Sequence, residues 1–325
     1  SRNKHYAMVN ILIREYETLN AVTWWRLYRP FMVLRYLYPG KYNIKTTRRP
    51  TPDDVWYTDL FILSRPSDQD TLDFVRFVRG IRPDAKFILD IDDAITNVPA
   101  HHTESMYFAN RAHISREIFS MCDYFWVSTE QLLYECDCLG KGEIIPNAIL
   151  PEDLPKEPAP DRGRWMWRGK DIQKEDVYLA GAETYEQIKS KATQWTFWGC
   201  LPSLDHGQNI RLLEYSDGIV SYFDQLKAER FNGVWKPLVE NQFNDAKSNI
   251  AWIEATMSGG VCLTNYAGKH GWQCAFDKWP SDYEHACAAW EVSADVIRSH
   301  YNLETTAKQR HESIERILNG KTVKA

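Results

Sequence analysis

Apolar residues come in short blocks along the first half of the chain, and the blocks alternate between two spacings. Residues 9–13 (VNILI), 59–64 (DLFILS), 86–90 (KFILD) and 124–128 (YFWVS) are near-continuous apolar runs bounded by polar residues. A strand buried on both faces needs such a run. Between them, segments 23–37, 70–80, 114–121 and 130–134 read as helices; in the second the apolar series is Leu72, Val75, Phe77 and Val78. A last short strand is read at 142–146 (GEIIP). Strand and helix in alternation predict βαβ units and a parallel, doubly wound sheet.

The alternation stops at residues 151–164, PEDLPKEPAPDRGR, where four prolines and mixed charges read as a linker. It then resumes. Strands are expected at 164–167 (RWMW) and 260–264 (GVCLT), and helices at 177–190 and 249–257, with 194–198 (QWTFW) and 217–222 continuing the series. From 281 to 318 the pattern is helical, with no strand left to pair. The expectation is an α/β protein with two Rossmann-like domains facing a cleft, at 1–150 and 165–300. A final helix, 301–325, would return to the first domain.

Length agrees, since 325 residues correspond to about two domains. A hydrophobic fraction of 44% excludes a wholly disordered chain. The balance of 39 basic and 44 acidic residues, net −5, excludes a globally basic nucleic-acid binder. A local basic stretch remains in Arg26, Arg29, Arg35, Lys41, Lys45, Arg48 and Arg49. No apolar run reaches the roughly 18–20 residues of a membrane span. Segment 9–13 is too short for a secretory core and contains Asn10, so a cytoplasmic location is expected. Seven cysteines, an odd number with no C-x-x-C pair, argue for reduced, buried thiols and against a disulfide framework or zinc ribbon. The 13 Trp, 17 Tyr and 13 Phe serve either packing or the stacking of sugars or bases, and composition leaves both open.

Candidate chemistry gathers at the carboxyl ends of the expected strands, where open α/β sheets bind ligands. Asp90, Asp92 and Asp93 end one strand. Three acids there repel each other unless compensated. One of them can orient an acceptor hydroxyl or act as a base; the alternative is a helix N-cap with an Arg partner. His101 and His102 follow, with no metal-ligand spacing to complete them, so they are read as cleft contacts or solvated side chains. Arg168 and Gly169 end another strand, Lys174 comes six residues later, and Lys247-Ser248 precedes the helix that carries Glu254. Arg, Lys and a helix N-terminus are what a diphosphate requires. The alternatives are a solvated basic loop and an ordinary helix-surface carboxylate.

Taken in order, these motifs resemble a known family. Asp90-Ile91-Asp92-Asp93 with Val98-Pro99, Val127–Leu132, Ile145-Pro146-Asn147-Ala148-Ile149, Trp167-Arg168-Gly169 and Lys247-Ser248…Glu254-Ala255…Gly259-Gly260 resemble the signposts of GT-B glycosyltransferases similar to family 4, in the branch common in bacteriophage genomes. The resemblance covers roughly residues 55–265. It implies a retaining, metal-independent transfer from a nucleotide sugar, a UDP-sugar, with no other cofactor. It implies that Arg168, Gly169, Lys174, Lys247 and Ser248 hold the diphosphate and that Glu254 holds the ribose. Asp92, Asp93 and His102 would serve catalysis. Arg26, in an aromatic–Arg–Pro segment, would meet the acceptor with Asp90 and His101. The family's earlier glutamate is replaced by Ala246, with Asp245 adjacent, and residues 15–20 lack its glycine-rich loop. The acceptor would be a hydroxyl compound: a hydroxymethylated pyrimidine in phage DNA, a surface glycan or a small molecule. A rival of another class is a non-catalytic nucleotide- or carbohydrate-binding protein. Asp90-x-Asp92 also matches the metal-binding D-x-D of the GT-A fold, which the two-domain pattern argues against.

Overall fold

The computed structural model describes residues 8–15, 20–170, 173–190, 192–204, 209–214, 218–269, 271–278 and 280–320. Two parallel sheets organise the chain. The first holds β1 (Val9–Arg14), β2 (Tyr42–Thr46), β3 (Leu60–Ser64), β4 (Lys86–Ile91), β5 (Tyr124–Val127) and β6 (Gly142–Ile144), in the order β2-β1-β3-β4-β5-β6. The second holds β7 (Arg164–Arg168), β8 (Gln194–Trp198), β9 (Ile210–Leu213), β10 (Gly233–Trp235) and β11 (Val261–Leu263), in the order β11-β10-β7-β8-β9. The apolar runs became the central strands because both their faces are covered. Leu60, Phe61, Ile62 and Leu63 are all buried, with Phe61 and Leu63 on one face of the sheet and Leu60 and Ile62 on the other.

Helix Leu303–Leu318 packs Ala307, Ile314 and Ile317 into the same core as Leu27, Phe31 and Leu34 of the helix that follows β1. The chain returns to the first sheet through a short parallel bridge, in which Ile149 N–H donates to the Tyr301 carbonyl and Leu303 N–H to that of Ile149. Segment 151–164 is no free tether. Ala159 is buried and donates its backbone N–H to the Gly259 carbonyl, and Arg230 caps the carbonyls of Glu157 and Pro158.

The helix after β1 begins with a capping box, in which the side chains of Asn20 and Thr23 each accept from the other's backbone N–H. It widens to π geometry over Trp24–Tyr28 before continuing as Arg29–Leu37. Pro30 has no N–H to offer the Arg26 carbonyl one turn back. Arg310 of the C-terminal helix takes that place, donating Nη2 to the Arg26 oxygen at 3.2 Å.

Several sequence expectations fall differently. Segment 217–222, which the sequence left without a type, is the start of helix Ile219–Glu229 in its described residues, with Gly218 at the N-cap. Strands β2, β9 and β10 are absent from the sequence reading. β2 and β9 are edge strands, the first mostly exposed and the second mostly half-buried, and β10 is only three residues long. The aromatic surplus is largely packing: Trp126, Trp165, Trp167, Trp198, Trp235 and Trp272 are fully buried. All seven cysteines are free thiols. Among the described residues no helix is long and apolar enough to cross a membrane.

Candidate functional site

The carboxyl ends of both sheets open onto one cleft. A cavity of about 500 Å³ is lined from the second sheet by Arg168, Lys236, Lys247, Ser248 and Glu254, and from the first by Asp92 and Asp93. A second cavity of about 450 Å³ shares Asp93, Arg168 and Lys247 with it and adds Glu15, Arg65, His102 and Tyr107. The two are halves of one groove. Its walls are tied across the sheets by Asn97 to Gln242 (2.6 Å), Thr129 to the Ala246 carbonyl (2.8 Å) and Asn147 to Ser248 (3.1 Å).

At the second-sheet end, Arg168 is the last residue of β7 and reaches Glu254 with both Nε and Nη2 at 3.0 Å. Glu254 is 2% exposed, so it is not an ordinary surface carboxylate. It lies in helix Ile250–Ser258, whose first turn borders the cavity through Ile250 and Ala251. Lys247 projects over the Phe243 ring at 4.8 Å. The cavity therefore gathers Arg and Lys cations, a helix N-terminus and a buried carboxylate, which is the donor and acceptor set that a nucleoside diphosphate matches.

Two of the expected donor contacts are corrected. Lys174 does not line either half of the groove; Lys170 and Gln173 do. Lys174 starts a short helix whose Asp176 accepts from Val239 and Asn244. Gly169 is buried and does not line the groove either. Its N–H is spent on the Trp198 carbonyl at 3.1 Å, and a Cβ there would strike the Trp167 ring, so packing explains the glycine.

The first-sheet end corrects more. Arg26 and Asp90 do not face an acceptor. Both side chains are fully buried and form a two-pronged ion pair, Nε to Oδ1 at 2.8 Å and Nη2 to Oδ2 at 3.1 Å. Arg26 also donates to the Ile145 carbonyl at 2.6 Å. Burial demands this pairing, because an isolated ion in the interior is costly. Both Asp90 oxygens thereby accept from Arg26 in the interior. His101 is half-buried and outside the groove, whereas His102 is buried within it, against Phe243. Burial, then the Lys247 charge, lowers the His102 pKa and favours its neutral form.

Asp92 and Asp93 do face the groove, and their compensating partner is Arg65, which the sequence reading missed. Arg65 follows β3 directly and has φ of 42°, a left-handed conformation rare for a side chain other than glycine. Its Nη2 meets Asp93 at 3.2 Å. Its Nε lies 3.7 Å from Asp92 Oδ1, and both of those buried atoms lack a hydrogen bond. Burial, then the Asp93 charge, pushes the Asp92 carboxyl up to about 7, against the pull of Arg65 and Arg26. The run of apolar residues ending at Ser64 was the available signal, since a polar residue just past a buried strand belongs to the ligand-binding edge. Lys236, just past β10, was missed because so short a strand leaves no pattern.

Five of the seven basic residues read at 26–49 are ion-paired, Arg35 and Arg49 being the exceptions among the described contacts. Besides Arg26, Arg29 pairs with Asp153, Lys41 with Glu315, Lys45 with Asp54 and Arg48 with Asp70.

No protein-family model matches the chain, and no curated protein matches by sequence. Solved structures do. An alpha-glucosyltransferase (AGT) in complex with UDP superposes with a TM-score of 0.61 at 10% identity, over 95% of this chain and 99% of that one. A glycosyltransferase from Rickettsia africae gives 0.59 at 10% identity, over 97% and 100%. Anabaena HepE in complex with UDP and glucose gives 0.58 at 7% identity, over 95% and 100%. At such identities the likeness speaks for the fold. With two parallel-sheet α/β domains and a cleft between their carboxyl edges, this chain has the GT-B fold of nucleotide-sugar glycosyltransferases.

Proposed function

We propose that the protein transfers a sugar from a UDP-sugar to a hydroxyl acceptor. The observation that carries this reading is the convergence of Arg168, Lys247, Ser248 and Glu254 with the start of helix Ile250–Ser258 on one cavity. The UDP bound in two similar structures supports the choice of nucleotide. In this reading Glu254 accepts the ribose hydroxyls, while Arg168, Lys247 and the helix N-terminus neutralise the diphosphate leaving group. With these cations at hand the leaving group needs no metal. Retention of configuration follows from the resemblance to family 4. The acceptor enters beside Asp93 and His102 in the other half of the groove. Asp92, with a carboxyl that titrates near neutrality, is the group suited to hold or move the acceptor proton. Arg65 orients both carboxylates. The division of labour assigns the donor to residues 165–300 and the acceptor to 1–150, joined by 151–164 and braced by the final helix.

A small hydroxyl compound or glycan is the acceptor we favour over modified DNA. The ion pairs made by Arg29, Lys41, Lys45 and Arg48 leave little unpaired positive charge for a phosphate backbone. The test is a thermal-shift screen of nucleotide sugars, then mass spectrometry of candidate acceptors incubated with the one that binds. Transfer to a sugar or small alcohol supports the reading. Nucleotide-sugar binding with neither transfer nor slow donor hydrolysis would make the protein a non-catalytic binder.

A further inference from the structure

β7 and β10 are hydrogen-bonded neighbours, yet β8 and β9 intervene between them in the chain and lie on the far side of β7. The crevice of an open α/β sheet forms where the strand order reverses in this way. Arg168 ends β7, and Lys236 immediately follows Trp235 at the end of β10, so the two side chains straddle that crevice. They differ in partners. Arg168 has Glu254. Lys236 is 7% exposed; its backbone N–H goes to the Leu263 carbonyl at 2.8 Å, but its Nζ has no hydrogen-bond or ion-pair partner among the described residues. The charged and titratable groups that bear on it are Arg168 of β7, Asp176 of helix Lys174–Asp176, Lys247 of the loop before helix Ile250–Ser258, Glu254 of that helix and Cys262 of β11. Asp176 already accepts from Val239 and Asn244. Lys236 therefore sits largely buried in the cavity wall near two other cations, with Asp176 and Glu254 acting on it only at longer range than an ion pair. Burial, then Lys247 and Arg168, lowers its pKa to about 7. A buried charge in that position is costly until an anion joins it.

Resting on the donor-site reading above, we propose that Lys236 is a phosphate-binding cation of this site, that its Nζ engages the nucleotide diphosphate across the crevice from Arg168, and that the protein takes up a proton there as the nucleotide binds. The proton moves from solvent to the neutral amine, and the resulting ammonium donates to phosphate oxygens. Binding then weakens as pH rises through 7, because above that pH each binding event must first charge the amine. Lys236 also makes the site selective for phosphate over nucleoside, a task that Glu254 does not share.

The experiment is calorimetry on the whole chain with UDP, GDP and ADP, the tightest being carried forward alongside its nucleoside. Measured at pH 7.5 in two buffers of different ionisation enthalpy, the wild type should take up about half a proton or more per diphosphate bound. Lys236→Met should take up none and bind the diphosphate about ten- to a hundredfold more weakly, as for loss of one charged hydrogen bond. Its affinity for the nucleoside should be unchanged. Its melting temperature should not fall, since an amine without a partner has been replaced by an apolar side chain of similar length. Diphosphate binding by the wild type with no proton uptake overturns the proposal and leaves the donor site standing, without any appeal to the variant. So does a folded Lys236→Met that binds the diphosphate as the wild type does. Failure of the wild type to bind any of the three diphosphates overturns the donor-site reading and this proposal together.

Discussion

Replacing Asp90 with Asn tests whether the Arg26–Asp90 pair is a structural post or an acceptor contact. The substitution keeps the shape and removes the charge. Arg26 would then be a buried guanidinium held only by neutral acceptors, the Ile145 carbonyl at 2.6 Å and Asn147 Oδ1 at 3.4 Å. Arg310, 1% exposed and donating to the Arg26 backbone carbonyl, adds a second buried positive charge nearby. Breaking one side of a buried ion pair costs about 3–5 kcal/mol, and the neighbouring cation argues for the upper part of that range. For an m-value of about 2.5 kcal/mol/M, the urea midpoint should fall by roughly 1–2 M. Arg26→Met combined with Asp90→Leu should cost much less than the sum of the single changes, with a coupling of about 2 kcal/mol or more. Its residual cost comes from the Ile145 carbonyl, which loses its donor. The assay is equilibrium urea unfolding of wild type, both single variants and the double variant. An Asp90→Asn protein within about 1 kcal/mol of wild type, but with kcat/KM for the acceptor sharply reduced, would refute the reasoning and return Asp90 to the acceptor site.

Glu254→Gln should weaken binding of the nucleoside and of the nucleoside diphosphate alike, by about ten- to a hundredfold in calorimetry, as the proposed ribose contact requires; unchanged nucleoside affinity in a folded variant would remove Glu254 from the site. Asp92 gives a pH signature. Its folded carboxyl titrates near 7 and its unfolded one near 4, so the native state binds the proton more tightly and stability falls as pH rises from about 4 to 7. Asp92→Asn should therefore come closest to wild type in urea near pH 4 and exceed it by a margin that grows up to about pH 7, and an equal difference at pH 4 and pH 8 would mean that Asp92 is not desolvated. Activity should survive EDTA, since Asp90 is committed to Arg26; activity lost to EDTA and restored by manganese would put a metal back at Asp92 and Asp93.

The βαβ alternation was legible because strands buried on both faces must be apolar throughout, and residues 59–64 or 86–90 satisfy that with purely local information. The placement of Arg168 and Glu254 beside the cleft was legible for a related reason: each lies at a fixed offset within such an element, Arg168 closing a strand and Glu254 about one turn into a helix. β2 was not, since its alternating exposure at the sheet edge looks like loop sequence. Arg65 and Lys236 were hidden because nothing in their neighbours along the chain distinguishes them from solvated cations.

What sequence determined by itself is the buried central elements and the fold class, because these depend on local periodicity. What only the tertiary structure decided is which charged side chains are ligands and which are posts. Arg26 and Arg168 are both arginines beside tryptophans, and sequence treats them alike. One is sealed beneath the first sheet by Asp90 from a strand 64 residues away, and the other stands at the mouth of a crevice formed by two strands that are not consecutive. Burial and counterion are properties of the assembled interior, set by long-range contacts, and a residue's role as ligand or post follows from them.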